Sequence, residues 1–415
     1  MLAPGSVHAE SLPEALTSLI KTHKRALAAE ADLSAAKEQV AVSWGDWWPT
    51  LDVTADIGHE KQVKPSGSDD TDMVPRHFET TLTQKLWDFG STNSSIRRSE
   101  LSYGQALATR DGTRQTLLLE GITAYLNVVR SKRLVDFAIG SVANIKQQAD
   151  LENARVQRGA GLSTDVLQAK TQLAGALARQ IQAEGALKTS INRFRAVFGR
   201  EPENVAKMKD PRLPLELLPK SLEDAIRIVK RANPQLKASR IGSSIAQEDV
   251  RKSRIDGFLP TFNAIAEQKL KEDDAGTFGS KQERLVKIKL SYDFNLGMTA
   301  VNSLRASEQT HLAAVNRFGD TRDLLEEQTR NAWDNLQTAR ANAGHLRNQA
   351  DIAAEFLELA RRERQLGNRS LIDVLAGETA LINASSDATS AETDVAIAVF
   401  SQLNVMGALG PTIIE

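Results

Sequence analysis

The sequence contains no cysteine. This absence excludes disulfide bonds, thiol nucleophiles, zinc–thiolate centres and a lipidated N-terminal cysteine. No run of 18 apolar residues occurs either, which excludes a transmembrane helix. A transmembrane β-barrel stays open, because its strands alternate in polarity and average out as polar.

An excess of charge of one sign is also missing, since 52 Lys and Arg residues stand against 53 Asp and Glu residues. We therefore expect no nucleic-acid partner, because nucleic-acid-binding domains are usually basic. Residues 1–9 lack the charged and apolar regions of a signal peptide. Either the protein is cytosolic, or the numbering starts at a processed or engineered N-terminus.

Catalytic signatures are absent as well. The six histidines are scattered, with no pair at metal-ligand spacing. Gly159 and Gly161 lack the third glycine and the preceding strand of a dinucleotide-binding loop. We therefore predict no enzymatic activity, no cofactor and no bound metal.

Proline is missing from residues 76–201 and 261–410. Because proline breaks helices, long helices can lie only in these two stretches. Both are rich in good helix formers, and apolar residues such as Leu118, Ile122 and Tyr125 recur at helical spacing. The pattern is typical of helices that pack as coiled coils.

Short breaks divide each proline-free stretch into a helical hairpin. Gly159–Gly161 interrupts the first stretch and Gly367 the second, and both breaks use residues that tolerate positive φ. Ser163 or Thr164 follows the first break as a capping residue, and Ser370 follows the second. We expect the first arm to run over 91–157, which gives a helix about 100 Å long at 1.5 Å per residue.

The two halves of the sequence repeat each other. Trp87-Asp88-Phe89 recurs as Tyr292-Asp293-Phe294, and Asp165-Val166-Leu167 recurs as Asp373-Val374-Leu375 at nearly the same offset. Each half reads as a helix, two strands and a long helical hairpin. The predicted repeats cover residues 11–210 and 211–410, with hairpin tips near 159–163 and 367–370.

Alternating segments predict four strands. Leu51, Val53, Ala55 and Ile57, for example, are separated by polar residues or glycine. The strands have the length that crosses a bilayer at a tilt. Four strands leave two open edges, which lipid does not tolerate, so several chains close the sheet or the strands lie outside a membrane. The predicted strands are 49–60, 77–89, 260–271 and 284–295.

Aromatic residues gather where helices meet strands, which favours a membrane–water interface. The alternative is a soluble core cluster. The interface candidates are Trp44, Trp47, Trp48, Trp87, Phe89, Phe258, Tyr292 and Phe294.

The duplicated halves and the segments RGAGLSTDV (158–166) and LGNRSLIDVL (366–375) resemble the TolC family of outer-membrane efflux and secretion channels. The resemblance covers about residues 11–410. It implies a mixed, mainly α fold, in which a long coiled-coil α-barrel adjoins a trimeric, twelve-stranded transmembrane β-barrel with four strands from each chain.

The resemblance also implies location and partners. A homotrimer would cross the outer membrane of a Gram-negative bacterium, contact its lipid and extend into the periplasm. There it would meet a periplasmic adaptor protein and an inner-membrane transporter of the ABC type. The signal peptide would then be absent from this numbering.

The hairpin tips are the adaptor-docking candidates by this resemblance. Simple hairpin turns without a partner are the alternative. The docking candidates are Gly159, Ala160, Gly161, Leu162, Ser163, Gly367, Asn368, Arg369, Ser370 and Leu371.

The family closes its periplasmic end with polar links between neighbouring hairpins. The matching positions are Thr164, Asp165 and Arg369, and a family position that is usually aromatic is Arg364. We expect an Arg364–Asp165 link as a charged substitute; solvated helix-end charges are the alternative. Asp373 matches the family position whose carboxylates form a ring that selects cations. The alternative is that Asp373 only caps or solvates the start of its helix, where the helix dipole favours a carboxylate.

Three functions remain open at this stage. The first is an exit duct for type I protein secretion, which the missing N-terminal cysteine and Trp87-Asp88-Phe89-Gly90 favour by resemblance. The second is the same duct in a drug or metal efflux pump. The third is a soluble periplasmic coiled-coil structural or adaptor protein.

Overall fold

Eight α-helices and six β-strands occur in the computed structural model, which describes residues 12–159 and 162–410. No helix in these two ranges has an apolar stretch long enough to cross a membrane. The helices are α1 (Leu12–Thr22), α2 (Lys24–Gly45), α3 (Ser91–Gln157), α4 (Ser163–Phe198), α5 (Leu222–Ala232), α6 (Pro234–Phe258), α7 (Thr299–Gln365) and α8 (Leu371–Val405). The strands are β1 (Thr50–Ile57), β2 (Glu60–Gln62), β3 (Thr71–Met73), β4 (Arg76–Trp87), β5 (Thr261–Asp274) and β6 (Thr277–Ser291).

The chain is mainly helical and internally duplicated, as predicted. The helices α3 and α7 each contain 67 residues. The helices that follow them, α4 and α8, contain 36 and 35 residues. The matching lengths follow from the matching positions of glycine and proline in the two halves, because these residues end the helices.

Two compact units divide the chain. The first comprises Met1–Glu30, Thr109–Leu236 and Arg322–Glu415, and the second comprises Ala31–Ala108 and Lys237–Thr321. Each unit therefore draws on both halves of the sequence. The first contains the helix ends at the hairpin tips, and the second contains the sheet.

The core of the first unit includes the contact of α1 with the middle of α3. Leu16 and Leu19 are buried in α1. A Cβ atom at Gly121 of α3 would lie 2.7 Å from the Leu19 side chain and 2.8 Å from that of Leu16. Glycine at this position therefore allows the two helices to approach.

The second unit contains a four-stranded antiparallel sheet in the order β1-β4-β5-β6. The register pairs Leu51 with Leu82, Leu82 with Ala266 and Ala266 with Val286. Within the described residues, β1 and β6 each have one side without a strand partner. The sheet therefore ends in two open edges.

The register sorts most side chains of this sheet onto two unlike faces, because directly opposite residues share a face. Arg76, Glu272 and Arg284 are charged residues that share the mainly apolar face. The apolar side chains of one face are those of Leu51, Val53, Ala55, Ile57, Phe78, Leu82, Phe262, Ala264, Ala266, Leu270, Val286, Ile288 and Leu290. The titratable side chains of the other face are those of Asp52, Asp56, His77, Glu79, Lys85, Glu267, Lys269, Lys271, Lys281, Glu283, Lys287 and Lys289.

The apolar face is uncovered. Ile57, Val286 and Ile288 are 68%, 82% and 73% exposed. A sheet of a soluble domain would bury its apolar face against another layer. The charged face forms cross-strand ion pairs instead, such as Lys269–Glu79 at 2.8 Å.

The turn from β4 into α3 explains the segment Trp87-Asp88-Phe89-Gly90. The Asp88 carboxylate is buried and accepts hydrogen bonds from the backbone N–H groups of Gly90 (3.0 Å) and Thr92 (2.7 Å). Burial acts to raise the pKa of Asp88, but these hydrogen bonds outweigh it and leave the pKa below its ordinary value. Asp88 therefore caps α3, while Phe89 and Gly90 turn the chain at positive φ.

Candidate functional site

Two helical hairpin tips form the candidate site. The first lies between the end of α3 and the start of α4, and the second between α7 and α8. Gly159 and Gly367 have φ of +76° and +83°, a left-handed conformation that other residues adopt only with strain. Of the predicted docking residues, Ala160 and Gly161 lie outside the described part of the chain.

The tips present apolar side chains beside these glycines. Leu162 and Leu366 are 65% and 77% exposed. The α4 helix begins after Leu162 without a side-chain cap, whereas the Ser370 hydroxyl accepts a hydrogen bond from the Asp373 backbone N–H at the start of α8. Ser370 is thus a capping residue, as its position predicts, and Ser163 is the first residue of its helix.

A small-residue core lies beneath the tips. Ile145 and Ala149 of α3, Ala169 of α4, and Leu371 and Leu375 of α8 form one buried cluster. Alanine leaves room for neighbouring helices to approach. The start of α8 is therefore packed against the first hairpin as well as its own.

The Arg364 guanidinium contacts Glu152 on α3. The Nη2–Oε2 distance is 3.0 Å, and the side chains of Arg364 and Glu152 are 22% and 5% exposed. Arg155 lies 3.5 Å from the same carboxylate. Arg364 also donates a hydrogen bond to the Arg369 carbonyl oxygen at 3.2 Å. This buried pair connects the two hairpins of one chain.

Within one chain, Arg364 thus pairs with Glu152 and not with Asp165. Glu152 occupies the position in front of Arg364, and burial strengthens this pair relative to an exposed one. Asp165 is half-buried and forms no ion pair with a described residue. The link between neighbouring chains stays a prediction.

Arg369 also has its partner on its own hairpin. Its Nε donates a hydrogen bond to Glu363 at 2.6 Å, and its guanidinium carbon lies 5.3 Å from the centre of the Phe356 ring. Thr164, the other gate candidate, is exposed. The structure thus brings Arg364 and Arg369 together but leaves Thr164 and Asp165 without a link to them.

Sequence reasoning missed a second buried carboxylate. Glu378 of α8 is 3% exposed, forms an ion pair with Arg361 of α7 and receives a hydrogen bond from Asn144 of α3 at 3.4 Å. A polar cavity of about 290 Å³ is lined by residues that include Glu152, Gln148 and Arg361, the partner of Glu378. The sequence pattern that could have indicated this burial is a glutamate among the mainly small and apolar buried residues of α8.

Asp373 is exposed at the start of α8. Its backbone N–H donates to the Ser370 hydroxyl at 3.2 Å, and its carboxylate forms no ion pair within residues 12–159 and 162–410. The side chain that caps α8 is therefore Ser370, while the Asp373 carboxylate is exposed.

An ion pair outside the tips joins α2 to the middle of α3. The Arg25 guanidinium donates two hydrogen bonds to the Glu120 carboxylate, at 2.9 and 2.6 Å. These bonds lower the pKa of Glu120 below its ordinary value, although partial burial opposes them.

The junction aromatics are accessible. Trp48 and Phe294 are 74% and 72% exposed, and Trp47 is the half-buried exception. Such exposure argues against a soluble core cluster. The others that are more than one-third exposed are Trp44, Trp87, Phe89, Phe258 and Tyr292.

Comparison with known proteins places these features in context. The family described as "Outer membrane efflux protein" matches residues 16–200 and 225–408. The chain is 22% identical to the outer membrane protein TolC of Escherichia coli over 395 residues, which are 92% of this chain and 78% of that protein. It is 23% identical to the alkaline protease secretion protein AprF of Pseudomonas aeruginosa over 322 residues, covering 76% and 66% of the two chains.

Solved structures share the fold. The outer membrane protein VceC of Vibrio cholerae superposes with a TM-score of 0.80 at 16% identity. The superposition covers 95% of this chain and 96% of that chain. The order of helices and strands described above is therefore found in a known outer-membrane protein.

Proposed function

Because the chain belongs to the outer membrane efflux protein family, we propose that it is one protomer of a homotrimeric exit duct for type I protein secretion. Members of this family are outer-membrane channels rather than enzymes, and they act as trimers with a periplasmic adaptor and an inner-membrane pump. The soluble coiled-coil alternative is therefore set aside. The substrate class and the type of pump are the parts that we propose.

The two-faced sheet is the observation that carries the proposed architecture. Three copies supply twelve strands, and pairing β6 of one copy with β1 of the next removes every open edge. The apolar face then contacts lipid, as in other transmembrane barrels. The charged face lines a water-filled path, in which cross-strand ion pairs such as Lys269–Glu79 are hydrated.

The exposed aromatics support the membrane boundary in this arrangement. Trp48 precedes β1, Trp87 ends β4 and Tyr292 follows β6, so all three lie at the same end of the sheet. Amphipathic rings favour the level of lipid headgroups. This end of the sheet therefore faces the periplasm, because the long helices begin there.

The hairpin tips are the proposed adaptor site. Leu162 and Leu366 are exposed apolar residues of the two tips, where Gly159 and Gly367 have a positive φ that a side chain would strain. A tip of this kind offers a partner both an apolar contact and an accessible backbone. Substitution of Gly367 by valine should reduce export while trimers persist, because the substitution strains only the tip.

The gate and the selectivity ring are also proposed at the hairpin tips. Three-fold symmetry would bring three Asp373 carboxylates together, and a ring of like charges favours cations. The Glu152–Arg364 pair would hold the two hairpins of each chain in the closed arrangement. Opening would then require that this buried pair shift or break.

Protein secretion is favoured over drug or metal efflux by one comparison. AprF, which covers 76% of this chain, is named as a protein of alkaline protease secretion. An ABC exporter would accordingly drive transport. A drug or metal efflux pump is the second candidate, since the family description itself names efflux.

Deletion of the native gene tests the substrate class. We expect loss of one or more proteins from the culture medium, restored by the intact gene, with unchanged sensitivity to dyes, drugs and metal salts. Sensitivity without a secretion defect would assign the duct to an efflux pump. A stable monomer in detergent, measured by light scattering, would contradict the trimeric architecture.

A further inference from the structure

An apolar cavity of about 490 Å³ lies beyond the end of β6. Its walls come from the end of α6, the segment between β6 and α7, and the start of α7. The large apolar side chains that line it include Phe258, Phe294, Leu296 and Met298. Phe294 and Leu296 are 72% and 88% exposed, so no described part of the chain covers this cavity.

The strand order shows what lies next to the cavity in an assembly. Neighbouring strands of the sheet are antiparallel throughout, so β1 and β6 run in opposite directions. A second copy can therefore add its β1 to the open side of β6 as the next antiparallel strand. The segment before that β1 then lies beside the segment that follows β6.

Trp48 is the bulky side chain of the segment before β1. It is 74% exposed and has no aromatic partner among the described residues. A tryptophan side chain buries about 150–250 Å² when it is covered, and its indole N–H usually finds an acceptor. The Asp293 carboxylate at the cavity wall offers one, since it has no hydrogen-bond or ion-pair partner within the described ranges.

We propose that this cavity is a socket that receives Trp48 of a neighbouring copy of the chain. The proposal rests on the proposed trimer and goes beyond it, because it assigns one side chain and one cavity to the contact between copies. The socket joins the end of the sheet to the start of α7. It thereby couples closure of the strands to docking of the long helices at the membrane boundary.

The absence of cysteine makes a direct test possible. Within one chain, β1 and β6 are separated by three strand spacings, or about 14 Å. A disulfide cannot bridge Cα atoms more than about 7 Å apart. A disulfide between position 48 and the socket must therefore join two copies.

The experiment introduces Trp48→Cys together with Phe294→Cys, Leu296→Cys or Met298→Cys into the full chain, in three separate variants. Mild oxidation in outer membranes should give covalent dimers and trimers on a denaturing gel for at least one pair. The matched control replaces Trp48→Cys with Val63→Cys. Val63 is 77% exposed but follows β2, beyond the end of β1 that is opposite Trp48. The control should give only single chains.

A second measurement separates the socket from the trimer itself. Trp48→Ala should raise the dissociation constant of the detergent-solubilised trimer about tenfold or more, because truncation of a buried interface tryptophan removes a strong anchor. Trp48→Phe should retain most of the affinity, and Val63→Ala should leave it unchanged.

Two outcomes would overturn the proposal in different ways. A trimeric mass without any cross-link from position 48, and with Trp48→Ala as stable as the parent, would show that lipid or detergent fills the cavity. The proposed function would survive that result. A monomeric mass for the parent protein would instead overturn the proposed trimer and the socket together.

Discussion

Replacement of Arg364 by methionine tests whether the buried Glu152–Arg364 pair holds the hairpins together. Methionine preserves much of the volume of the side chain but leaves the Glu152 carboxylate, which is 5% exposed, without its nearest cation. Removal of one partner from a buried ion pair costs about 3–5 kcal/mol. Arg155 remains 3.5 Å away and partly compensates the charge, so we expect a cost at or just below the lower limit of this range, about 2–3 kcal/mol.

This cost should appear as local opening of the tips. Since each 1.4 kcal/mol is a factor of ten, amide exchange in residues 145–157 and 357–365 should accelerate by about 30- to 150-fold. The double variant Glu152→Gln, Arg364→Met removes both charges and should recover most of the protection. In planar bilayers, Arg364→Met should increase the fraction of time that the channel is open.

A neighbouring pair provides the control. Arg362 and Glu358 form an ion pair whose side chains are 72% and 64% exposed, and exposed pairs contribute about 0–1 kcal/mol. Arg362→Met should therefore leave both exchange and conductance unchanged. The reasoning fails if Arg364→Met behaves like Arg362→Met, or if the effects of Glu152→Gln and Arg364→Met simply add in the double variant.

Asp373, Ser370 and the Arg25–Glu120 ion pair each give a further prediction. Asp373→Asn should reduce cation selectivity, measured as the reversal potential across a salt gradient, without a change in thermal unfolding; an unchanged potential would argue against the carboxylate ring. Ser370→Ala should destabilise the start of α8 by about 1 kcal/mol, seen as faster exchange of the Asp373 amide. Arg25→Leu should lower Tm at neutral pH. This deficit should shrink as pH falls below 4.5, the ordinary pKa of Glu120, because a lowered carboxyl pKa contributes stability that is complete above that pH and is lost through the folded-state pKa. A deficit that stays constant down to pH 3 would contradict this assignment.

The long helices and the strands could be predicted because their signals are local. Proline-free stretches, helix-ending glycines and alternating apolar residues act on the backbone where they occur. The predicted first arm, 91–157, has the bounds of α3. The loop strands β2 and β3 went unpredicted, since they are three residues each and lie in a segment that reads as a solvated loop.

The partners of the tip charges could not be predicted, because they are fixed by packing between distant segments. Glu152 and Arg364 are 212 residues apart, and helical spacing alone does not show which of several carboxylates an arginine reaches. The resemblance suggested Asp165 because the family uses that position. The segment Trp87-Asp88-Phe89-Gly90 favoured secretion by resemblance, and in the structure its Asp88 caps α3.

The burial of Glu152 has a consequence for how the proposed closure of the duct depends on salt concentration. Dissolved salt screens charges at the surface, with a Debye length of about 10 Å at 0.1 M, but it screens buried pairs much less. The closure that we propose for Glu152 and Arg364 should therefore depend less on the salinity of the medium than a link between exposed charges would. Salt should screen the exposed Asp373 carboxylate strongly. Salinity should therefore change the ion selectivity of the proposed open duct far more than the probability that the duct opens.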